Sequence, residues 1–108
     1  MNGYPNVTAV DDQTFESEVL LCSVRCLVEF GATEVQPSRD ILQILNLLGS
    51  QFQETAKMFY VDIEKYDNLF RKYNIRPDTI IRFVEGQPSG ELVGIHEYGD
   101  YVDLLNLG

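Results

Sequence analysis

The chain has 108 residues, which is enough for one domain of ordinary size and too few for two. Hydrophobic residues make up 44% of it, which excludes a disordered chain, and no apolar run reaches the roughly 20 residues of a membrane-spanning helix. A formal net charge of -9 repels nucleic-acid phosphates and anionic lipids, so neither nucleic acid nor membrane is an expected partner.

The acidic residues gather towards the two ends of the chain. No Lys or Arg precedes Arg25 and none follows Arg82, whereas four Asp or Glu residues precede Arg25 and five follow Arg82. A solvated surface that aids solubility is the simplest interpretation, and such a surface also attracts a basic partner. The N-terminus is polar and lacks the basic and apolar segments of a secretion signal, so a cytoplasmic location is expected.

A short strand at residues 7–10 and a helix that begins at Asp11 or Asp12 open the predicted structure. An Asp side chain at such a position accepts hydrogen bonds from the free amides of the first helical turn. Phe15, Val19 and Leu20 form the apolar face of this helix. Residues 26–30 are mostly apolar, which is typical of a short central strand buried on both faces.

A long second helix is predicted over residues 38–52, and Gly49 within it predicts a bend or an early end. The remaining pattern predicts, in order, a strand at 57–63, a short helix around 69–73, a strand at 79–83, a turn over 84–90, a hairpin arm at 91–93 and a last helix at 98–105. This order, β-α-β-α-β-α-β-β-α, predicts an α/β fold with a mixed central sheet and helices on both faces. We therefore expect residues 1–108 to form a single domain.

Six short phrases, spread in order along the chain, carry a family resemblance. They are Asp11-Asp12-x-x-Phe15, Leu27-Val-Glu-Phe30, Val61-Asp-Ile-Glu64, Lys72-Tyr-Asn-Ile-Arg76, Phe83-Val-Glu-Gly86 and Val93-Gly94. Each is similar to a phrase at the same place in the thioredoxin family. The resemblance covers nearly the whole chain and implies the thioredoxin-like fold.

The segment from Cys26 to Ser38 resembles the redox site of that family, but it lacks the family's two cysteines. They correspond to Val35, which has no nucleophile, and to Ser38, whose hydroxyl forms no disulfide. The resemblance therefore implies a member that keeps the scaffold and has lost redox activity at this place. A catalytic Ser38 would need a base, and His96, the only histidine, is far along the chain, so we favour hydrogen bonding of Ser38 to the helix start.

The loop before the strand at 79–83 also departs from the family. The family has a cis-proline beside its cysteines, and this chain has Ile75-Arg-Pro-Asp-Thr79 there, one residue shorter. Either Pro77 takes the cis position, through the Arg76–Pro77 bond, or Asp78 occupies the site, and the sequence leaves both open. The family uses this loop to pair with the backbone of its substrates. The shorter loop of this chain is therefore expected to alter the substrate binding that is typical of the family.

Glu29 corresponds to a buried Asp that moves protons for the family's cysteines. An apolar strand favours the neutral form of its carboxyl by desolvation, which makes Glu29 a candidate general acid or base. Because the thiols are missing, Glu29 has no evident group to protonate. We therefore favour a polar residue that is satisfied by water or by a neighbour.

Cys22 and Cys26 are spaced C-x-x-x-C, with Cys22 expected to close a helix and Cys26 to begin a strand. A disulfide needs Cα atoms within about 7 Å, whereas four extended residues span roughly 13 Å, so a tight turn at residues 23–25 would be required. We favour free structural cysteines, with a redox pair as the alternative. Two Cys and one His at this spacing match no zinc site, so neither a metal nor another cofactor is expected.

The expected function is that of a redox-inactive module, chaperone-like or accessory, that binds a protein or peptide with a basic segment. Its surface would be the former active-site edge, since ligands of open α/β folds bind at one end of the sheet. The residues of this surface are Val35, Gln36, Pro37, Ser38, Arg76, Pro77, Asp78, Gly94, Ile95 and His96.

The phrase Gly94-Ile-His96 is similar to one in hydrogenase accessory chaperones, a branch that lacks the cysteine pair. That resemblance implies binding of a subunit with a twin-arginine signal. His96 is interpreted as a surface histidine, with a partner contact or a pH-sensitive group as the alternative. The competing function for the chain is a thiol-disulfide oxidoreductase that uses Cys22 and Cys26.

Overall fold

A computed structural model of the chain describes residues 4–31, 38–73 and 78–106. Within this part, five strands and three α-helices follow one another in the predicted order, with a short π-helix, Glu16–Leu20, between the first two strands. The strands and α-helices are β1 Val7–Ala9, β2 Arg25–Gly31, α1 Ser38–Gln51, β3 Ala56–Asp62, α2 Asp67–Lys72, β4 Thr79–Val84, β5 Gln87–Val93 and α3 Tyr98–Leu105. No helix in these ranges is long and apolar enough to cross a bilayer.

The described strands form one mixed sheet in the order β1-β3-β2-β4-β5, which confirms the predicted α/β fold class. Strands β1 and β2 run parallel to β3, and β4 runs antiparallel to both β2 and β5. Strand β2 lies at the centre, and residues 26–31 are buried because β3 and β4 pair with its two edges and helices cover its two faces.

The two faces of the sheet carry separate apolar clusters. Alternate side chains of a strand point to opposite faces. Leu27 therefore packs with α1 and α3, beside Leu45 and Leu105, whereas Val28 packs with Phe15 and Val19 around the π-helix. Glu29 shares the face of Leu27, so its carboxyl lies under the layer formed by α1 and α3.

The first helix differs in type from the predicted α-helix. The Asp11 carboxylate accepts hydrogen bonds from the amides of Thr14 and Gln13, each at 2.9 Å, as predicted for a residue that starts a helix. These bonds, that of Thr14 above all, lower the pKa of Asp11. The chain then continues as a single π-helix, a rare form that the spacing of Phe15 and Val19 does not distinguish from an α-helix.

Two predictions were wrong, the early end at Gly49 and the extent of the turn over 84–90, whereas the alternative bend at Gly49 stays a prediction. Gly49 causes no early end, because α1 continues to Gln51; a Cβ at this position would lie 2.6 Å from the Asn6 carbonyl oxygen, so the glycine permits close packing. The turn predicted over 84–90 is confined to Glu85 and Gly86, both with positive φ, as in the tight two-residue hairpins. Strand β5 therefore begins at Gln87 and includes Pro88, which a strand at the sheet edge tolerates.

Candidate functional site

Three chain segments meet at the carboxyl end of β2. The Asp78 amide donates a hydrogen bond to the Phe30 carbonyl at 2.8 Å, and the Gly94 amide donates to the Asp78 carbonyl at 2.9 Å. The Gly31 carbonyl, at the end of β2, accepts a hydrogen bond from the Ile63 amide at 3.1 Å. We call this edge of the sheet, defined by Gly31, Asp78 and Gly94, the site end.

The backbone of the site end takes unusual conformations at two of these residues. Asp78 has a φ of 60° and Gly94 a φ of 79°. Left-handed backbone is disfavoured for residues with a Cβ, although Asp and Asn adopt it more readily than other residues. Apart from Gly94 and its two chain neighbours, no atom of the described residues lies within 4 Å of the place where a Cβ on Gly94 would stand.

The Tyr101 hydroxyl holds the segment between β5 and α3 in place. It accepts a hydrogen bond from the His96 amide at 3.0 Å and lies 3.3 Å from the Gly94 carbonyl, to which it donates. Tyr101 is fully buried, and this burial raises the pKa of its hydroxyl. The core of the domain therefore directly orients residues 94–96, on which much of the expected binding surface lies.

The imidazole of His96 is occupied by contacts within the chain. Its Nε2 lies 3.0 Å from the Val93 carbonyl, which only accepts, so Nε2 carries a proton. Its Nδ1 lies 3.5 Å from the Asp100 carboxylate, and its ring meets the Tyr101 ring edge to face. An imidazole engaged at both nitrogens is poorly placed to activate a serine hydroxyl, which argues against a catalytic role with Ser38.

A buried acid lies beneath the site end. Glu29 is fully buried, and neither of its carboxyl oxygens has a hydrogen-bond partner among the described residues. Burial, reinforced by the negative charge of Asp78, raises the pKa of Glu29 to about 9, so the carboxyl is neutral at pH 7. The favoured expectation of a residue satisfied by a neighbour finds no such neighbour in the described part.

The site end exposes apolar side chains. Among the described residues, four large apolar side chains are exposed, and two of them flank Gly94 here: Ile95, which is 52% exposed, and Val93, which is 39% exposed. The other two lie elsewhere, Leu47 on α1 and Leu21 after the π-helix. Exposed apolar side chains therefore lie on either side of Gly94 at the site end.

A shallow groove of about 360 Å³ runs between β5 and α3. Leu92 and Leu104 line it together with Gly90, and three acids also line it: Glu91, Asp100 and Asp103. Asp100 both lines the groove and contacts His96, so the groove adjoins the site end. An apolar floor with acidic walls suits a segment that carries both apolar and basic residues.

The predicted binding residues fall into three groups. Asp78, Gly94, Ile95 and His96 lie together at the site end. Ser38 is the first residue of α1, and nothing is described of its side chain. The others lie outside the described residues: Val35, Gln36, Pro37, Arg76 and Pro77.

The alternative redox residues lie away from the site end. Cys26 is the second residue of β2 and Gly31 is the last, so a strand rise of about 3.3 Å per residue separates them by roughly 16 Å. Both cysteines are free, and Cys26 is fully buried. The described residues contain no group of three or more His, Cys, Asp or Glu side chains that could hold a metal ion.

Sequence reasoning missed Tyr101 and Asp100 as residues that shape the site. Both belong to the first turns of α3, and the spacing from His96 places Asp100 four residues on and Tyr101 five. This spacing does not show which of the two side chains faces His96 until the first residue of the helix is known. The start is set by the Glu97–Asp100 capping box, in which the Glu97 amide donates to the Asp100 carboxylate at 3.2 Å.

Comparison with protein families matches residues 6–106 to the family described as Thioredoxin. Among individual proteins, the chain is 28% identical over 98 residues to a thioredoxin of Rickettsia bellii, covering 90% of this chain and 93% of that protein. It is 31% identical over 87 residues to thioredoxin 1 of Synechococcus elongatus, covering 80% and 81%, and 28% identical over 101 residues to a thioredoxin of Staphylococcus aureus, covering 93% and 95%.

Proposed function

The chain belongs to the thioredoxin family, and from this premise we propose that it binds a protein or peptide and exchanges no disulfides at the family's redox position. The two cysteines of the sequence are Cys22 and Cys26, and Cys26 lies at the opposite end of β2 from the site end. Disulfide exchange requires a thiolate that the substrate can reach. The placement of Cys26 therefore supports a binding role for the site end.

The observation that carries the proposal is the exposed pair Val93 and Ile95 beside the acidic groove. Exposed apolar residues supply binding energy when a partner covers them, and the surrounding acids select a partner of positive charge. The proposed ligand is thus an extended segment with apolar residues for Ile95 and basic residues for Asp100 and Asp103. Because the acids are on the rim, their contribution falls with ionic strength.

The finer proposal is an accessory or chaperone-like role towards a basic signal segment. The similarity of Gly94-Ile-His96 to hydrogenase accessory chaperones supports it. A cytoplasmic location is part of this proposal.

Partner capture by the immobilised protein tests the proposal. The Ile95→Gln variant is compared with Leu47→Gln, because Leu47 is 49% exposed on α1, nearly as exposed as Ile95, and lies away from the site end. We expect the wild-type protein and Leu47→Gln to retain the same partner from a lysate of the source organism. With the purified partner, Ile95→Gln should bind at least tenfold more weakly.

Equal capture by the Ile95 and Leu47 variants would contradict a contact at the site end. A purified partner whose affinity does not fall between low salt and physiological salt would contradict the basic-segment part of the proposal.

A second candidate function, thiol-disulfide exchange by Cys22 and Cys26, is favoured by the proximity of the two thiols. It predicts reduction of insulin disulfides by the wild-type protein and loss of that activity in Cys26→Ser. The binding proposal predicts that Cys26→Ser and the wild-type protein are equally inactive in this assay. It also predicts that a Cys22→Ser/Cys26→Ser variant still captures the partner.

A further inference from the structure

Cys22 and Cys26 are held together at the junction of the π-helix and β2. Cys22 follows the helix, where its amide lies 3.3 Å from the Val19 carbonyl, and Cys26 is the second residue of β2. The chain bends at Ser23 and Val24, which is the tight turn that a contact between the two cysteines requires. Both side chains pack in the apolar cluster on the π-helix face of the sheet.

The Cys22 and Cys26 side chains lie close together in this cluster. The Cys26 sulfur lies 3.4 Å from the Val24 carbonyl, and burial together with the Cys22 thiol raises the pKa of Cys26. Cys26 is fully buried, whereas Cys22 is partly exposed. A small reagent therefore reaches the sulfur of Cys22 first. The Cys26 sulfur then lies beside the adduct that forms on Cys22.

We propose that Cys22 and Cys26 form a reversible internal disulfide when a low-molecular-weight disulfide, such as oxidised glutathione, is present. The Cys22 thiol loses its proton to water, and its thiolate attacks one sulfur of the small disulfide. A mixed disulfide forms on Cys22 and one small thiolate leaves. Cys26 then loses its proton and attacks the Cys22 sulfur, which releases the second small thiolate. Two protein thiols and one small disulfide become one protein disulfide and two small thiols.

The crosslink would tie the end of the π-helix to β2, at the end of the sheet opposite the site end. The β4–β5 turn packs against the end of the π-helix there, since a Cβ on Gly86 would lie 2.9 Å from the Leu20 carbonyl oxygen. The bond restricts the unfolded chain, although only over a short loop, and so raises the midpoint temperature of unfolding. It is a modification of the scaffold and is independent of the proposed binding function.

Mass spectrometry of the intact wild-type protein tests the inference without any substitution. The protein is incubated with excess oxidised glutathione, and accessible thiols are then alkylated in denaturant. We expect a product that has lost the mass of two hydrogen atoms and takes up no alkylating agent. Digestion without reductant should yield one peptide pair or loop that joins Cys22 to Cys26, and dithiothreitol should restore two alkylated thiols.

Two variants separate the steps. Cys26→Ser should accumulate glutathione on Cys22, because no second thiol is available to displace it. Cys22→Ser should remain unmodified while folded, because Cys26 is fully buried. Far-UV circular dichroism establishes that each variant is folded.

Wild-type protein that keeps both thiols, stops at a mixed disulfide on Cys22, or forms a disulfide between two chains would overturn the inference.

Discussion

The Glu29 carboxyl loses its hydration within the sheet and also faces the negative charge of Asp78, and together these effects raise its pKa to about 9. Glu29 is a central residue of β2, and Asp78 precedes β4, the neighbouring strand. The chain thus keeps a neutral acid directly beneath its proposed binding surface. Single substitutions at and near the site end therefore test its effect on stability, on the titration of Glu29 and on backbone order.

The first prediction concerns the pH dependence of stability. The pKa of Glu29 in the folded protein is raised above its unfolded value of about 4.5. The contribution of Glu29 to the free energy of unfolding is therefore complete below about pH 4.5 and is lost as the pH rises towards 9. Glu29→Gln removes this titration. Above about pH 4.5, the stability of Glu29→Gln relative to wild type should therefore increase by about 1.4 kcal/mol per pH unit, which is a gain of about 3 kcal/mol between pH 4.5 and pH 7.

Denaturant unfolding of both proteins between pH 5 and pH 8.5 measures this difference. Glu54→Gln serves as the control, because Glu54 is exposed in the turn before β3. A stability difference between Glu29→Gln and wild type that stays constant over this range would mean that Glu29 is already ionised in the folded protein.

The second prediction concerns the charge of Asp78. Asp78→Asn removes that charge while keeping a side chain that tolerates the left-handed backbone. The pKa of Glu29 should fall, yet remain above its usual range, because desolvation is the larger cause of the shift. Carboxyl-carbon NMR titration of Glu29 measures the change, with Asp103→Asn, exposed on α3, as the control. An unchanged Glu29 titration in Asp78→Asn would exclude electrostatic coupling of the two residues.

The third prediction concerns the order of the segment between β5 and α3. Tyr101→Phe removes the hydroxyl that contacts the Gly94 carbonyl and the His96 amide in the core. We expect a loss of about 1–3 kcal/mol of stability and faster hydrogen exchange of the His96 amide. Tyr98→Phe is the matched control, since the Tyr98 hydroxyl donates to Gln51 at the surface. Equal protection of the His96 amide in the Tyr101 variant and wild type would show that the hydroxyl does not order this segment.

The fourth prediction compares two helical glycines. A Cβ on Gly49 would meet the backbone and side chain of Asn6 at 2.6 and 2.8 Å, whereas a Cβ on Gly99 would meet no atom of the described residues within 4 Å, its own helix backbone aside. Gly49→Ala should therefore destabilise the domain by about 1–3 kcal/mol through overpacking. Gly99→Ala should stabilise it by up to about 1 kcal/mol, because alanine favours the helix. Thermal unfolding distinguishes them, and stabilisation by Gly49→Ala would contradict the close packing of α1 on Asn6.

Local patterns predicted the elements where their signals were strong. The apolar run at residues 26–30 became the buried central strand, and the helical spacing from Ile41 to Leu48 became α1. Local patterns failed to predict the structure where one pattern is compatible with two structures. Turn-forming residues at 84–90 also suit an edge strand that contains Pro88, and the spacing of Phe15 and Val19 suits both kinds of helix.

The candidate site was predictable only in part, for the same reason. Family resemblance in the sequence pointed to Asp78 and His96, which the structure places near one another. The contribution of Tyr101 depends on how α3 packs against the end of β5, and sequence spacing does not report that packing. The expected roles of Val35 and Pro77 stay predictions.

The order of the elements, the acidic character of the chain and the absence of cysteines from positions 35 and 38 could be read from the residues alone. These follow from residue type and spacing, which act over one or two turns of chain. Only the folded chain shows that Glu29 is a buried neutral acid beside Asp78, that Val93 and Ile95 are exposed, and that Cys22 and Cys26 share one apolar cluster. Each of these depends on which distant segments pack together, because desolvation, exposure and thiol contact are set by neighbours in space.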